Sequence, residues 1–324
     1  MRTSAEPLGG DQVITSLLII GGLVFLAFGG EILVRGAVGV ARVLGVSPLL
    51  SGLVLVGFGT STPELVTSLI AAMRNAPDIA VGNVVGSNIA NILLILGLTA
   101  AITPIYVRPQ AIGRDMIALG ASSVICLLAV VAGFIDRWFG LFLLALLGVY
   151  VVVTYLRERS HEAGGVTRPP VDRDWMRLGQ FALMTAAGIA LTVLGARLLV
   201  GGAIELAEGL GMPQRVIGLT IVAVGTSLPE LVACVVAALR RHADVALGNV
   251  IGSNIYNVFG ILGITAAVSP IRVPPEIANL DIWVLLAATG LLALFLRTGG
   301  GLKRLEGAGF LLAYAAYTGF LLLA

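Results

Sequence analysis

The chain has 324 residues, of which 58% are hydrophobic and 12% charged, and its mean hydropathy is +1.02. A soluble fold of this length cannot bury so much apolar surface, so the composition places the chain in a bilayer. The net charge of +2 is small, and the basic residues stand singly or in pairs in turns between apolar runs, which excludes a nucleic-acid interface.

The opening segment, MRTSAEPLGGDQ, is short and polar. The apolar run after it is too long for a signal-peptide core and reads as a retained helix. A helix crosses the hydrocarbon layer with about 20 apolar residues, and that ruler predicts spans over residues 12–43, 48–73, 78–101, 112–133 and 138–157, then 176–209, 214–239, 244–267, 279–297 and 304–323. The expected fold class is therefore an all-α membrane protein of about ten transmembrane helices. Residues 1–157 form a first five-helix repeat, 158–175 a polar linker and 176–324 a second repeat. Five spans per half is an odd number, so the halves insert with inverted topology. Most Lys and Arg residues, including Arg42, Arg114, Arg240, Arg241 and the linker arginines, fall on one side. That side is expected to be cytoplasmic, with both termini outside.

The halves repeat at a constant register of 166 residues. Gly59 to Asn91 reads GTSTPELVTSLIAAMRNAPDIAVGNVVGSNIAN and Gly225 to Asn257 reads GTSLPELVACVVAALRRHADVALGNVIGSNIYN; between Gly52 and Pro104 about 30 of 53 positions match. Each copy carries an acid, Glu64 or Glu230, in apolar surroundings, where a carboxylate costs several kcal/mol unless it faces a polar cavity or a cation. Thr60 and Ser61 share a helical face with Glu64, as Thr226 and Ser227 do with Glu230. Pro63 and Pro229 should bend or open the helix and free the carbonyls of Gly59 and Gly225. The next span of each half adds Ser87 and Asn91, or Ser253 and Asn257, at i and i+4. Such oxygen-only donors suit hard cations such as calcium and sodium rather than zinc or copper.

Other polar residues read as structural. Asn83, Asn88, Asn249 and Asn254 suit helix packing. Glu31 is expected near the membrane surface or paired with Arg197, and Asp115 and Asp281 at span starts as caps or interface residues. Cys126 and Cys234, in apolar runs, read as buried small residues.

The two copies of G-T-S-x-P-E followed by G-N-V-[VI]-G-S-N-I-x-N resemble the alpha repeats of the cation/calcium antiporter superfamily, and within it the prokaryotic sodium/calcium exchangers. The resemblance implies an antiporter, not an enzyme, that exchanges calcium for sodium in a prokaryotic inner membrane. No cofactor and no obligate protein partner are called for. Its second, third, seventh and eighth helices would form the cation cluster, with Glu64 and Glu230 around calcium and Thr60 and Thr226 contributing backbone oxygen. Ser61, Ser227, Ser87 and Ser253 would complete flanking sodium sites, Gly57 and Ala223 would offer carbonyls, and long spans one and six would slide across the cluster. Relatives carry Asp where this chain has Asn257, opposite the Asn at 91, so only two carboxylates remain here. Two other readings compete: a proton/calcium antiporter, because a desolvated Glu can carry a proton, and a passive cation channel, because acids and hydroxyls also line selective pores.

Overall fold

The computed structural model describes residues 9–106, 109–160, 175–210, 223–275 and 277–323. The first half runs through α1 (Gly9–Leu44), α2 (Pro48–Ser51), a π-helical turn over Gly52–Val56, α3 (Gly57–Thr60), α4 (Thr62–Met73), α5 (Pro77–Ile89), a second π turn over Ala90–Leu96, α6 (Gly97–Ile102), α7 (Pro109–Ala132) and α8 (Arg137–Ser160). The second runs through α9 (Trp175–Gly209), α10 (Ala223–Thr226), α11 (Leu228–Leu239), α12 (Ala243–Tyr256), a π turn over Asn257–Leu262, α13 (Gly263–Val268), a π turn over Ile277–Asp281, α14 (Ile282–Gly299) and α15 (Arg304–Leu323). Predicted span ends that fall on described residues lie within about three residues of the observed ones. Residues 161–174 of the expected linker and 214–222 of the expected seventh span lie outside the described residues.

Eight helical stretches are long and apolar enough to cross a membrane, and the bent pair Leu49–Thr60 and Thr62–Met73 makes a ninth crossing among the described residues. Four two-residue strands fix the threading. β1 (Ile105–Tyr106) pairs antiparallel with β4 (Gly301–Leu302), and β2 (Phe134–Ile135) with β3 (Ile271–Arg272). The β1 and β4 turns can meet only on one face of the membrane, so an even number of crossings separates them. Five long spans lie between, and α11 must therefore belong to a further crossing. The two strand pairs are equivalents in the repeat, β1 and β3 at a shift of 166 residues and β2 and β4 at 167, one pair on each face, as inverted halves require.

α1 and α9 lie antiparallel along a seam of glycines spaced by seven residues: Gly22, Gly29 and Gly36 on one, Gly188, Gly195 and Gly202 on the other. A Cβ at Gly22 would stand 2.5 Å from the backbone nitrogen of Leu199, and one at Gly188 only 2.4 Å from that of Leu33, so nothing larger than glycine allows this approach. The protein's centre is elsewhere. In the span formed by α12 and α13, 83% of the most apolar stretch is buried, and 72% in that of α5 and α6, against 11% in α15. The third and eighth spans are therefore the ones shielded from lipid, and they carry the repeated serines and asparagines.

Candidate functional site

Local sequence breaks the second and seventh spans at equivalent serines. Ser61 (φ −79°, ψ 11°) and Ser227 (φ −90°, ψ 7°) leave helical geometry, and a new helix starts with Pro63 or Pro229 in its first turn, where a missing N–H costs nothing. The bend at Ser61 is 43°. Glu64 and Glu230 thus occupy the first turn of α4 and α11, where the positive end of the helix dipole favours a carboxylate. One expectation needs correcting: the carbonyl of Gly59 is not left free, because the Thr62 hydroxyl donates to it at 2.8 Å.

The break turns each serine towards the other half. Ser61 Oγ donates to Glu230 Oε1 at 2.9 Å, and Ser227 Oγ to Glu64 Oε1 at 3.4 Å. Behind the acids, Asn83 Nδ2 donates to the Glu64 carbonyl at 3.0 Å and to Ser68 Oγ at 2.8 Å. Asn249 Nδ2 likewise donates to the Glu230 carbonyl at 3.3 Å and to Cys234 Sγ at 3.1 Å. Ser68 and Cys234 share a register position, and each donates to a carbonyl of the next helix, Ala80 or Ala246.

A second exchange ties α5 to α12. Asn88 Nδ2 donates to the Asn254 carbonyl and Asn254 Nδ2 to the Asn88 carbonyl, both at 3.3 Å. Their side-chain oxygens accept in turn: Asn91 Nδ2 donates to Asn254 Oδ1 and Asn257 Nδ2 to Asn88 Oδ1, both at 2.9 Å. Every amide nitrogen is thereby used. Four buried oxygens are not: Glu64 Oε2, Glu230 Oε2, Asn91 Oδ1 and Asn257 Oδ1 have no hydrogen-bond partner among the described residues. They form two pairs related by the repeat. Asn91 and Asn257 sit in the π turns that follow α5 and α12, a distortion that re-aims side chains and is frequent at functional sites.

Glu64, Glu230, Thr60, Ser61, Ser227, Ser253, Asn91 and Asn257 are each 0–2% exposed, and Ser87 is 6% exposed. Thr60 Oγ1 donates to the Val56 carbonyl at 2.9 Å, and Ser253 Oγ to the Gly57 carbonyl at 3.1 Å. A Cβ at Gly57 would lie 2.9 Å from the Ser253 nitrogen, so α3 and α12 touch backbone to backbone there. Thr226 is half-buried, and Ala223 begins α10. Among the described residues no group of three His, Cys, Asp or Glu side chains comes together, so any cation held here would rely on hydroxyl, amide and carbonyl oxygen besides two carboxylates.

The asparagines do more than pack helices. Asn88 and Asn254 look like packing residues, yet they orient Asn91 and Asn257; the readable signal was their i+3 spacing from those residues in both copies. Glu31 pairs with Arg35 and Arg240, not with Arg197, because the turn after α11 passes beside α1. Asp115 and Asp281 do not cap helices: Asp115 is fully buried inside α7, paired with Arg114 and accepting from Tyr150 at 3.3 Å, and Asp281 accepts from Tyr317 at 2.8 Å. Cys126 and Cys234 are both buried.

Broken spans crossing in inverted halves define the class: a multi-pass membrane protein of the inverted-repeat transporter type. The family model of the sodium/calcium exchanger proteins matches residues 14–156 and 181–323, and the chain belongs to that family of cation/calcium antiporters. It is 36% identical over 340 residues to the sodium/calcium exchanger MaX1 of Methanosarcina acetivorans, covering 93% of this chain and 96% of the relative. It is 34% identical to the inner membrane protein YrbG of Escherichia coli, covering 86% and 87%. A solved structure of the sodium-calcium exchanger NCX_Mj superposes with a TM-score of 0.82 at 31% identity, covering 94% of this chain and 98% of the other. MaX1 and NCX_Mj are exchangers by name, transporters rather than enzymes.

Proposed function

We infer that the protein exchanges calcium for sodium at one central site built by both halves, by alternating access. The observation that carries this reading is the set of four buried, unpartnered oxygens on Glu64, Glu230, Asn91 and Asn257. Leaving a buried acceptor unmade costs about 1–3 kcal/mol, and more for an ionised carboxylate. A bound cation removes all four penalties at once. Glu64 and Glu230 would hold calcium together with backbone oxygen of Thr60 and Thr226 and the amide oxygens of Asn91 and Asn257. Ser61, Ser227, Ser87 and Ser253, with the carbonyls of Gly57 and Ala223, would serve flanking sodium ions.

Closing the site around two charged, uncompensated carboxylates is unfavourable, so an empty carrier resists crossing over; obligatory exchange follows from that penalty. Two negative charges neutralise one calcium or two sodium ions, which makes the cycle electroneutral. The repeats are assigned to residues 1–157 and 176–324, joined by a cytoplasmic linker at 158–175, and the termini to the outside of an inner membrane, in keeping with the arginine distribution and with the name of the relative YrbG. Calcium-45 uptake into liposomes under an outward sodium gradient, a pH gradient or none tests the reading. Dependence on internal sodium supports it, proton-driven uptake would replace sodium by protons, and flux without a gradient would make the protein a channel.

A further inference from the structure

The two halves match in sequence, so their departures from two-fold symmetry mark the conformation. α1 leans on α11: a Cβ at Gly30 would stand 2.6 Å from Val232 Cγ1 and 3.1 Å from Val236 Cγ2, and both valines are half-buried. The equivalents on α4, Val66 and Ile70, are 41% and 44% exposed. The protein is therefore drawn together on the side where α1 and α11 end and is looser at the matching place on the opposite face.

An ion-pair cluster stands at the end of that tightened contact. Both carboxylate oxygens of Glu31 are gripped by the fork of Arg240, Oε2 by Nε at 2.8 Å and Oε1 by Nη2 at 2.6 Å, and Arg35 donates to Oε1 as well. The bidentate geometry is the strong form of this pair, and it joins α1 to the turn that follows α11. A cavity of about 410 Å³ lined by Val34, Arg35, Val38, Arg42, Phe181 and Arg240 opens beside it and reaches none of the oxygens of the central site. Shifted by 166 residues, Glu31 becomes Arg197, Arg240 becomes Arg74 and Arg35 becomes Gly201. The mirror conformation would thus bring two like charges together where this one has an ion pair.

We propose that Glu31 and Arg240 form a one-sided latch that holds the exchanger shut on its arginine-rich face, and that the unlike mirror positions bias the resting carrier towards that state. This deepens the exchange reading and rests on it for its consequence, because α1 has to leave α11 before the site can open to that face. The latch determines sidedness without touching the cation, so substitutions in it redistribute conformations rather than remove the site.

The test is labelling of a single cysteine placed at Val236, under the α1 contact, in a chain that also carries Cys126→Ala and Cys234→Ser. A membrane-impermeant maleimide is applied from the arginine-rich side of proteoliposomes without any ion gradient. Glu31→Gln and Arg240→Gln are each expected to speed labelling about two- to fivefold, the shift that a partly exposed ion pair supports, and Glu31→Arg combined with Arg240→Glu is expected to restore the slow rate. A cysteine at Ile70, labelled from the opposite side, is expected to react faster than that at Val236 when the latch is intact and not to accelerate when it is removed. Unchanged labelling at Val236 in both single variants, or equal acceleration at Ile70, would overturn the latch. Failure of the wild type to exchange sodium for calcium would instead overturn the functional reading while leaving the labelling result standing.

Discussion

The asparagine exchange between α5 and α12 makes a quantitative prediction. Asn254→Ala removes the acceptor of the Asn91 amide and the donor to the Asn88 carbonyl, at 2.9 and 3.3 Å; Asn88→Ala does the same to Asn257 and the Asn254 carbonyl. Each variant leaves one buried amide nitrogen unpaired, worth about 1–3 kcal/mol, with the lower part of that range expected in a membrane interior. The freed amide rotates, and its oxygen is no longer fixed towards the centre. If about 1.4 kcal/mol of that loss falls on cation binding, the KM for calcium rises about tenfold while the maximal rate falls less. Because each side chain bonds the other's backbone carbonyl, which alanine keeps, the double variant frees both Asn91 and Asn257 and should raise KM beyond either single variant. Calcium-45 uptake at varied calcium, with size-exclusion profiles to verify folding, measures both. An unchanged KM in well-folded single variants, or a double variant no worse than either single, would refute the argument that these residues aim the site.

Three further outcomes follow from the same geometry. With two carboxylates and electroneutral exchange, sodium-driven calcium uptake should not respond to a membrane potential imposed with potassium and valinomycin; a clear dependence would mean another stoichiometry. Cys234→Ser reproduces the Ser68 arrangement of the first half and should leave uptake near wild type, whereas Cys234→Val strands one Asn249 hydrogen and should cost about 1–3 kcal/mol of stability, read from thermal unfolding in detergent. Gly252→Ala drives a Cβ to 2.0 Å from the Leu53 carbonyl oxygen, an overpacking of about 1–3 kcal/mol or more that should lower both folded yield and transport by separating α12 from the second span.

How much of this was legible in the sequence depends on what each residue's partner is. Span positions were readable because the apolar requirement of the bilayer acts on every residue, and the acids were readable because an intramembrane Glu twice at one register has no packing explanation. Pro63 predicts a bend or opening of the helix, but not that it falls at Ser61 or that the Thr62 hydroxyl satisfies the Gly59 carbonyl. Ser61 shares a helical face with Glu64, yet it bonds the Glu of the other half, because the 43° bend turns it away from its own helix. The cross-links of Asn88 with Asn254, and of Glu31 with Arg240, join residues 166 and 209 positions apart, and helical periodicity carries no information at that range. Pairing Glu31 with Arg197 followed the repeat register, whereas the contact that formed follows the asymmetry between the halves.

The most direct test of the account is sodium-driven calcium-45 uptake by Glu64→Gln and Glu230→Gln in liposomes, beside wild type at equal incorporation. Gln keeps the shape and an acceptor for Ser227 or Ser61 but removes the charge that the cation must neutralise. The account predicts uptake at background in both variants, with unfolding temperatures at or above that of the wild type measured without ions, since one buried charge is gone. Exchange at wild-type rate by either variant would contradict it.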